Sequence, residues 1–363
     1  MIRVAQIVGN SKTGGVVSCV MNYYRNIDRS KIQFDFYTYG PASVDKEIEA
    51  LGGRVFYIPN LIKFPIAIPK LIQLLKKNHY DIIHSHMTSL SVFPLFAGKC
   101  VKIPIRVCHS HSSTYKTEKT RVVKNFLRHF STWFATDLMG CSYLAINWLY
   151  GKKAQKAVLL PNAIDLNRFY YDYNRRVRVK EKFGLTNNFV VGHIGRFEYQ
   201  KNHDFLLDVF DEVQRRKPEA KLVLCGVGSL MEHIRQRIEE MNLSNKVIIF
   251  DEIKNVEDYY SLFDVFVLPS RYEGLPLVAV EAQAMGLKCL LSDQISQETS
   301  FTKDCEYLDV EDKDAWVNKI IEVSNNCMTV DAMPEIIERG YDIKQASHML
   351  ENFYIDCNNR ILR

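Results

Sequence analysis

The sequence predicts an α/β protein built from two doubly wound parallel sheets. Apolar, β-branched runs alternate with helical patterns in both halves of the chain, and a polar stretch near residue 165 interrupts the alternation. Such alternation is typical of parallel sheets covered by helices on both faces. At 363 residues the chain is long enough for two such domains, and a single α/β barrel is the main competitor.

The first domain is predicted to span residues 1–165. Strands are expected at residues 3–8, 33–37, 54–58, 81–84, 105–108, 138–141 and 157–160. Helices are expected between them, at residues 16–25, 45–51, 66–78, 89–99, 119–134 and 144–150.

A connector is predicted at residues 166–186, followed by a second domain at residues 187–343. The connector is polar and rich in cations, and a solvated segment is preferred over a nucleic-acid site. Strands are then expected at residues 189–194, 221–225, 247–250, 265–268 and 288–291. Helices are expected at residues 204–216, 229–241, 256–263, 277–285 and 315–324. A C-terminal helix, residues 344–363, is expected to pack back on the first domain.

The composition limits the possible classes of function. Hydrophobic (47%) and charged (25%) fractions are ordinary for a soluble globular protein, and no apolar run is long enough to span a bilayer. The chain starts directly with a strand rather than a signal peptide, so a cytoplasmic protein is expected. The net charge of +5 does not argue for nucleic acid. Nine Cys without a C-x-x-C pair indicate reduced thiols.

The segment from Leu268 to Ala282 joins a predicted buried strand to a predicted helix. Pro276 suits the first helical position, where a missing N–H costs little. A helix N-terminus attracts anions. Glu273 and Glu281 are suited instead to accept hydrogen bonds from hydroxyl groups, so this segment predicts a nucleotide-sugar site.

Glycine-bearing loops follow three other predicted strands. The Gly14-Gly15 loop lacks both the Lys-Ser/Thr of a Walker A motif and the G-x-G-x-x-G fingerprint, and it is either a close approach to phosphate or a simple turn. In the loop that begins at Gly195, Arg196 and Lys201 are five residues apart and could reach one diphosphate. Gly226-Val-Gly228 would allow a close backbone approach by a ligand.

With these motifs, the sequence resembles the family-4 retaining glycosyltransferases of the GT-B fold, in which two Rossmann-like domains face a cleft. The resemblance covers nearly the whole chain and is greatest to bacterial capsule and exopolysaccharide transferases. Its motifs are Gly195-Arg196…Lys201-Asn202, Gly226-x-Gly228, Pro269-Ser-Arg-Tyr-Glu-Gly-Leu-Pro276 with Glu281, Asp81-Ile-Ile-His-Ser-His86, and Leu160-Pro-Asn-Ala-Ile-Asp165.

The resemblance implies transfer of a sugar, with retention, from a nucleotide-diphosphate donor to a saccharide or lipid-linked saccharide. UDP-sugar is the expected donor. Arg196 and Lys201 would bind the diphosphate, and Glu281 would hold the ribose. Glu273 would contact the sugar near the Gly274-Leu275 amides, and Gly15 would approach the phosphates. A nucleotide-sugar epimerase, a phosphorylase and a non-catalytic donor-binding subunit are the alternatives.

Two His-x-His pairs end consecutive predicted strands, at His84/His86 and His109/His111. A metal site is not favoured, because Cys or carboxylate partners at ligand spacing are lacking. The resemblance implies a catalytic His after the later strand, and both His109 and His111 fit.

No metal or other cofactor is expected, since cations and a helix terminus can neutralise the leaving diphosphate. Asp312-Lys-Asp314 is interpreted as a helix start.

Residues 116–134 combine cations with aromatic side chains. The cations are Lys116, Lys119, Arg121, Lys124 and Arg128. This segment is either a helix that contacts the inner face of the membrane or a surface helix with a buried stripe.

Overall fold

The computed structural model describes residues 1–10, 15–111, 121–251, 253, 255–326, 329 and 331–362. The chain divides into two compact units. The first contains residues 1–163 and 340–363, and the second contains residues 164–339. Gly14, Lys116 and Lys119, all named above, lie outside the described residues.

The first unit contains a seven-stranded parallel sheet. Its strands are β1 (Ile2–Gly9), β2 (Ile32–Thr38), β3 (Arg54–Tyr57), β4 (Ile82–Ser85), β5 (Ile105–Ser110), β6 (Asp137–Gly140) and β7 (Ala157–Leu159). Its first six helices are α1 (Gly15–Asn26), α2 (Asp45–Ala50), α3 (Phe64–Asn78), α4 (Val92–Cys100), α5 (Arg121–Leu127) and α6 (Tyr143–Tyr150).

The second unit contains a six-stranded parallel sheet. Its strands are β8 (Phe189–Ile194), β9 (Ala220–Cys225), β10 (Val247–Phe250), β11 (Val265–Leu268), β12 (Lys288–Ser292) and β13 (Cys305–Leu308). Its helices are α7 (Tyr173–Lys182), α8 (His203–Arg216), α9 (Met231–Glu240), α10 (Val256–Leu262), α11 (Leu277–Ala284), α12 (Lys313–Asn325) and α13 (Met333–Glu338).

Both sheets have the doubly wound strand order. The first runs β3-β2-β1-β4-β5-β6-β7 and the second runs β10-β9-β8-β11-β12-β13. In each, the chain builds outward from a central strand, then returns and builds in the opposite direction. This confirms the predicted fold class. It also marks the carboxyl ends of β1 and β4, and of β8 and β11, as the positions where such sheets bind ligands.

Apolar stripes on the helices fill the cores beneath these sheets. On α8, the side chains of Leu206, Val209, Phe210 and Val213 are all buried and repeat at helical spacing. Eight cysteines fall among the described residues; all are free thiols, and seven of them are buried. None of the described helices combines the length and the apolar character that crossing a bilayer would require.

The C-terminal helix, α14 (Ile343–Leu362), belongs to the first unit. Tyr354 is fully buried there and makes an edge-on contact with the ring of Phe34. Lys31 forms an ion pair with Glu351 at 2.9 Å. The last element of the chain therefore completes the core that the first strands begin.

The structure differs from the predicted connector. Residues 173–182 form helix α7, which begins where the Asp172 side chain accepts the backbone N–H groups of Asn174 and Arg175. Arg176 and Lys180, one turn apart, both form ion pairs with Asp264, the residue before β11. The cations that indicated a solvated segment thus hold this helix within the second unit.

Two further elements were not predicted, and one prediction was too long. Strand β13 and helix α13 are short and lie among polar residues, so their patterns were weak. The helix expected at residues 119–134 ends at Leu127 in the part that the structure describes, and turns follow it up to Trp133.

Candidate active-site groups

In the second unit, one backbone and one side-chain hydrogen bond join the loops after β8 and β11. The Arg271 N–H donates to the Gln200 carbonyl at 2.8 Å, and the Gln200 side-chain amide donates to the Tyr272 carbonyl at 2.9 Å. Glu273 forms a single parallel bridge with Ile295. Because β8 and β11 are neighbours in the sheet, these contacts bring two of the predicted loops together.

Lys201 and Glu273 form an ion pair, with Nζ and Oε1 2.7 Å apart. The two side chains are only 11% and 13% exposed, and the Ser270 hydroxyl also donates to Glu273 at 3.3 Å. Each charge offsets the cost of burying the other. Sequence reasoning had placed both residues at one site but had not anticipated this direct pair.

Arg196 and Lys201 differ in their surroundings. Arg196 is exposed, whereas Lys201 is buried. A Cβ at Gly195 would lie 3.0 Å from Cδ and Cε of Lys201 and 2.9 Å from Nε2 of His193. Gly195 therefore leaves room for the Lys201 side chain to reach Glu273.

The glycines of the loop after β9 are required by packing within the second unit, and their predicted contact with the donor stays a prediction. A Cβ at Gly226 would lie 2.2 Å from the Gly195 carbonyl oxygen, and Gly226 has a φ of +143°, a conformation that favours glycine. A Cβ at Gly228 would lie 2.3 Å from the Phe197 carbonyl oxygen. These glycines allow the two loops to pack against each other, so contact with a ligand is not needed to explain them.

Helix α11 begins at Leu277, with Pro276 as its N-cap, one position from the predicted arrangement. Gly274 and Leu275 are buried just before it. The start of this helix therefore lies next to the Glu273 bridge.

Glu281 on α11 accepts a hydrogen bond from the buried Tyr260 hydroxyl at 2.8 Å. Burial raises the pKa of the Glu281 carboxyl to about 7, although Tyr260 and the nearby Arg168 oppose that rise. Arg168 also forms an ion pair with Glu257 at 2.9 Å. Sequence reasoning missed Tyr260, Arg168 and Glu257, because no local motif links them to Glu281.

A buried polar cluster lies beside Lys201. Within the described part of the chain, His193 Nε2, Asn202 Oδ1 and both ring nitrogens of His203 have no hydrogen-bond partner. Burial and the charge of Lys201 lower the pKa of His193 to about 3. Both histidines are therefore neutral neighbours of the one buried cation in this loop.

In the first unit, the four predicted histidines lie together as two stacked pairs. His84 and His109 are hydrogen bonded at 3.0 Å, and His86 and His111 at 2.8 Å. The ring of His84 stacks on that of His86, with centroids 4.3 Å apart, and His109 stacks on His111 at 4.2 Å. We call these four residues the imidazole tetrad.

Gln6 on β1 fixes the proton positions in the tetrad. Its carbonyl oxygen only accepts, so the 2.8 Å bond from His86 places a proton on His86 Nε2. The unprotonated His86 Nδ1 then accepts from His111 Nε2.

The Gln6 amide also donates to the Tyr354 hydroxyl at 3.1 Å, and that hydroxyl donates to His84 Nδ1 at 2.6 Å. His84 therefore donates through Nε2 to His109 Nδ1, and His109 keeps its proton on Nε2. Within the described residues that last nitrogen has no partner. Gln6 and Tyr354 were missed because 348 residues separate them.

The tetrad consists of neutral rings. Burial lowers the pKa of His84, His86 and His109 well below 6.5, and lowers that of His111 to about 4 despite a hydrogen bond with Asn162. His84, His86 and His109 place nitrogens within 4.8 Å of one another, as a metal site would. However, a tetrahedral metal needs lone pairs that converge, and stacked rings direct theirs in parallel planes.

The remaining predicted groups have simple surroundings. Gly15 begins α1, and a Cβ added there would meet nothing within 4 Å, so packing within the protein does not require this glycine. Asp312 caps α12 by accepting the Ala315 N–H at 2.9 Å. This cap agrees with the interpretation of Asp312-Lys-Asp314 as a helix start.

The two doubly wound units and their grouped polar residues define the class of protein as a GT-B-type glycosyltransferase. The model for glycosyl transferases group 1 matches residues 176–341, and the model for glycosyltransferase family 4 matches residues 13–168. EpsF of Bacillus subtilis, which is named as a glycosyltransferase, is 36% identical over 308 residues, covering 82% of this chain and 80% of its own. The chain belongs to this glycosyltransferase family and is an enzyme of that class.

Two other proteins are similar over most of the chain. The UDP-Gal:α-D-GlcNAc-diphosphoundecaprenol α-1,3-galactosyltransferase of Escherichia coli is 27% identical over 328 residues, covering 84% of each chain. The crystal structure of HepE of Anabaena with UDP and glucose has a TM-score of 0.83 and 17% identity, covering 98% of this chain and 99% of HepE. At that identity the structural likeness supports the fold alone.

Proposed function

We propose that this enzyme transfers a sugar, with retention, from a UDP-sugar to a hydroxyl of a saccharide or lipid-linked saccharide in capsule or exopolysaccharide synthesis. The Lys201–Glu273 ion pair, beside the start of α11, is the observation that carries the proposal. The UDP bound by HepE and the UDP-Gal and diphosphoundecaprenol in the name of the Escherichia coli relative support this choice of donor and acceptor.

The ion pair suits a donor that brings both a diphosphate and sugar hydroxyls. In the proposal, Lys201 moves from Glu273 to the diphosphate, and Glu273 then accepts hydrogen bonds from the sugar. The buried cation keeps an anionic partner throughout, and the sugar hydroxyls replace Lys201 as hydrogen-bond donors to Glu273. Arg196, which is exposed beside this pair, also binds the diphosphate.

In the proposed reaction, the bond between the anomeric carbon and the diphosphate oxygen breaks. The acceptor oxygen bonds to that carbon on the same face, and its proton passes to the departing phosphate oxygen. Lys201, Arg196 and the helix start stabilise the charge that develops on the diphosphate, so the proposal needs no metal.

The remaining groups bind the ribose of the donor and the acceptor. Glu281 holds the ribose hydroxyls, whose hydrogen bonds favour its ionised form. His111 contacts the acceptor, because it is the most exposed member of the tetrad, and His109 supports it from the buried layer behind.

The test is Lys201→Ala, assayed for transfer from UDP-sugar and for UDP binding. The matched control is Lys319→Ala, which removes a lysine of the same unit that pairs with Glu306 at 2.9 Å. Loss of a group that stabilises transition-state charge typically costs about 10²–10³ in rate. Turnover within a few-fold of the control would contradict the diphosphate assignment.

Incubation with UDP-sugar alone separates the alternatives. Isomerised sugar would indicate an epimerase, and UDP binding without transfer to any saccharide would indicate a donor-binding subunit.

A further inference from the structure

One buried histidine of the second unit carries a lone pair that no described residue uses. His193 lies near the end of β8 and is completely buried. Its Nδ1 is 2.8 Å from the Val267 carbonyl oxygen, and that oxygen only accepts, so the ring proton is on Nδ1. The neutral ring therefore has its lone pair on Nε2, which has no hydrogen-bond partner among the described residues.

The lone pair of His193 and the side chain of Lys201 border the same small space beside Gly195. A Cβ at Gly195 would lie 2.9 Å from His193 Nε2 and 3.0 Å from both Cδ and Cε of Lys201. This space exists because residue 195 has no side chain. The charge of Lys201 also lowers the pKa of His193, second only to the effect of burial. The two groups are therefore close enough to act on each other.

The ring of His193 is held in this orientation from two sides. The bond to Val267 fixes one edge, and the ring of His203 packs against it at 80°, with centroids 4.8 Å apart. His203 in turn stacks on Phe197 at 4.3 Å. A rotation that turned Nε2 away from Lys201 would break the bond to Val267. Because a buried lone pair without a partner is unfavourable, we looked for a partner in another state of the site.

We propose that His193 is a positioning residue for Lys201: its Nε2 accepts one N–H of the ammonium when Lys201 leaves Glu273 for the donor diphosphate. The ammonium has three donors, so one can bond to His193 while the other two meet phosphate oxygens. A lysine head group is a point charge on a flexible stem, and a fixed acceptor limits the positions it takes. The proposal rests on the proposed function of Lys201 and adds the group that orients it.

A neutral acceptor suits this role better than a second carboxylate would. His193 accepts a hydrogen bond without cancelling the charge of the ammonium, so the whole positive charge stays available to the leaving diphosphate. Burial and the charge of Lys201 lower the pKa of His193 to about 3, so its ring remains an acceptor at neutral pH.

The test compares two amides at position 193. His193→Asn can still donate to the Val267 carbonyl but has no acceptor near the position of Nε2. His193→Gln presents its amide oxygen near that position but loses the bond to Val267. We expect His193→Asn to lower kcat for transfer from UDP-sugar about tenfold or more, with little change in KM, because it loses a hydrogen bond to a charged group. His193→Gln should keep most of the wild-type kcat.

A purely structural histidine predicts the opposite order, because Asn keeps the bond to Val267 and Gln does not. Equal kcat in the two variants, or a higher kcat for His193→Asn, would overturn the proposal. Thermal unfolding of both variants shows whether lost stability accounts for the rates. The matched control is His233→Asn, which changes an exposed histidine of the same unit and should keep the wild-type kcat.

Gly195→Ala tests the same space without changing the histidine. The new methyl group would lie between His193 Nε2 and the flexible end of Lys201, so kcat should fall about as far as in His193→Asn. The double variant should show little further loss, because both changes break one contact. Losses that multiplied in the double variant would contradict the proposed contact.

Imidazole-nitrogen NMR separates this proposal from the proposed function. The Nε2 signal of His193, identified by its absence in His193→Asn, should shift when UDP is added and should not shift in Lys201→Ala at saturating UDP. If the wild type transferred sugar while this signal ignored UDP, as for an Nε2 bonded permanently to a buried water, the positioning role would fail and the proposed function would stand. If UDP shifted the signal but no saccharide accepted sugar, the proposed function would fail while the contact of His193 with Lys201 stood.

Discussion

The imidazole tetrad lies at the carboxyl ends of β4 and β5, and the Lys201–Glu273 pair follows β8 and β11, so each site is at the carboxyl ends of neighbouring central strands, yet their chemistry is opposite. The tetrad is a buried, neutral hydrogen-bond network tied to Gln6. The pair consists of two compensated charges with slight exposure. Both doubly wound sheets therefore gather polar side chains at the carboxyl ends of central strands, while the side chains themselves decide which charge states are stable.

The first and largest test of this comparison removes one charge from the second unit. Lys201→Ala strands the Glu273 carboxylate and should lower the free energy of unfolding by about 3 kcal/mol, as for other buried pairs. The double variant Lys201→Ala/Glu273→Ala has no unpaired carboxylate, so it should be much more stable than Lys201→Ala. It should still not transfer sugar. Denaturant unfolding and turnover are the measurements; an exposed-pair control, Arg215→Ala, should change stability by less than about 1 kcal/mol.

If Lys201→Ala and the double variant were equally unstable, the pair would not be the source of the effect. The contrast between a charged site and a neutral one would then lose its energetic basis.

The second test uses pH, because the two sites should respond in opposite directions. The pKa of His111 is 6.5 in the unfolded chain and falls to about 4 in the folded protein. Neutral His111 therefore contributes its full share to the free energy of unfolding above pH 6.5, and this share is lost as the pH falls towards 4. The pKa of Glu281 rises from 4.5 in the unfolded chain to about 7 in the folded protein. Protonated Glu281 therefore contributes its full share to the free energy of unfolding below pH 4.5, and this share is lost as the pH rises to 7.

Each of these two pKa shifts, over its whole pH range, changes the free energy of unfolding by roughly 3 kcal/mol. Hydrogen exchange, followed unit by unit, should show the first unit weakening in acid and the second weakening towards neutral pH. His111→Gln and Glu281→Gln should flatten their own profiles, while His129→Gln and Glu240→Gln, at exposed positions, should not. Parallel profiles in the two units would refute this assignment.

The third test breaks the neutral network at its centre. Gln6→Leu leaves the His86 N–H and the Tyr354 hydroxyl without a shared partner and should cost about 2 kcal/mol. Tyr354→Phe leaves the Gln6 amide and His84 Nδ1 without that shared partner and should cost about as much. Nitrogen NMR shifts should place the proton on Nε2 in all four wild-type rings; a proton on Nδ1 of His84 or His86 would reverse the assigned direction.

Much of the fold follows from the sequence, because central parallel strands are continuous apolar runs and helices carry periodic stripes. Phe189–Ile194 and Val265–Leu268 are strands with the predicted bounds. Helix α7 was missed because it is held by charges on Asp264 rather than by an apolar face. Contacts such as Gln6 with Tyr354 join distant positions, and no local pattern encodes them.

The charge of the first unit teaches a different lesson. The excess of Lys and Arg in this unit can be counted in the sequence. The net charge of the whole chain, +5, hides it because the rest of the chain is net negative. The structure was needed to show that large apolar side chains such as Phe64 are exposed in the same unit.

The smallest expected effect comes from Tyr260→Phe, which removes one neutral donor from Glu281 and leaves every charge of the second unit in place. The carboxyl loses a bond that stabilises its ionised form, so its pKa should rise further above the ordinary range. UDP affinity at neutral pH should fall about fivefold, corresponding to about 1 kcal/mol, and should recover at higher pH. Calorimetric titration of UDP across pH measures both effects. A loss that did not recover at high pH would mean that Tyr260 contacts the ligand directly, rather than tuning the charge of Glu281.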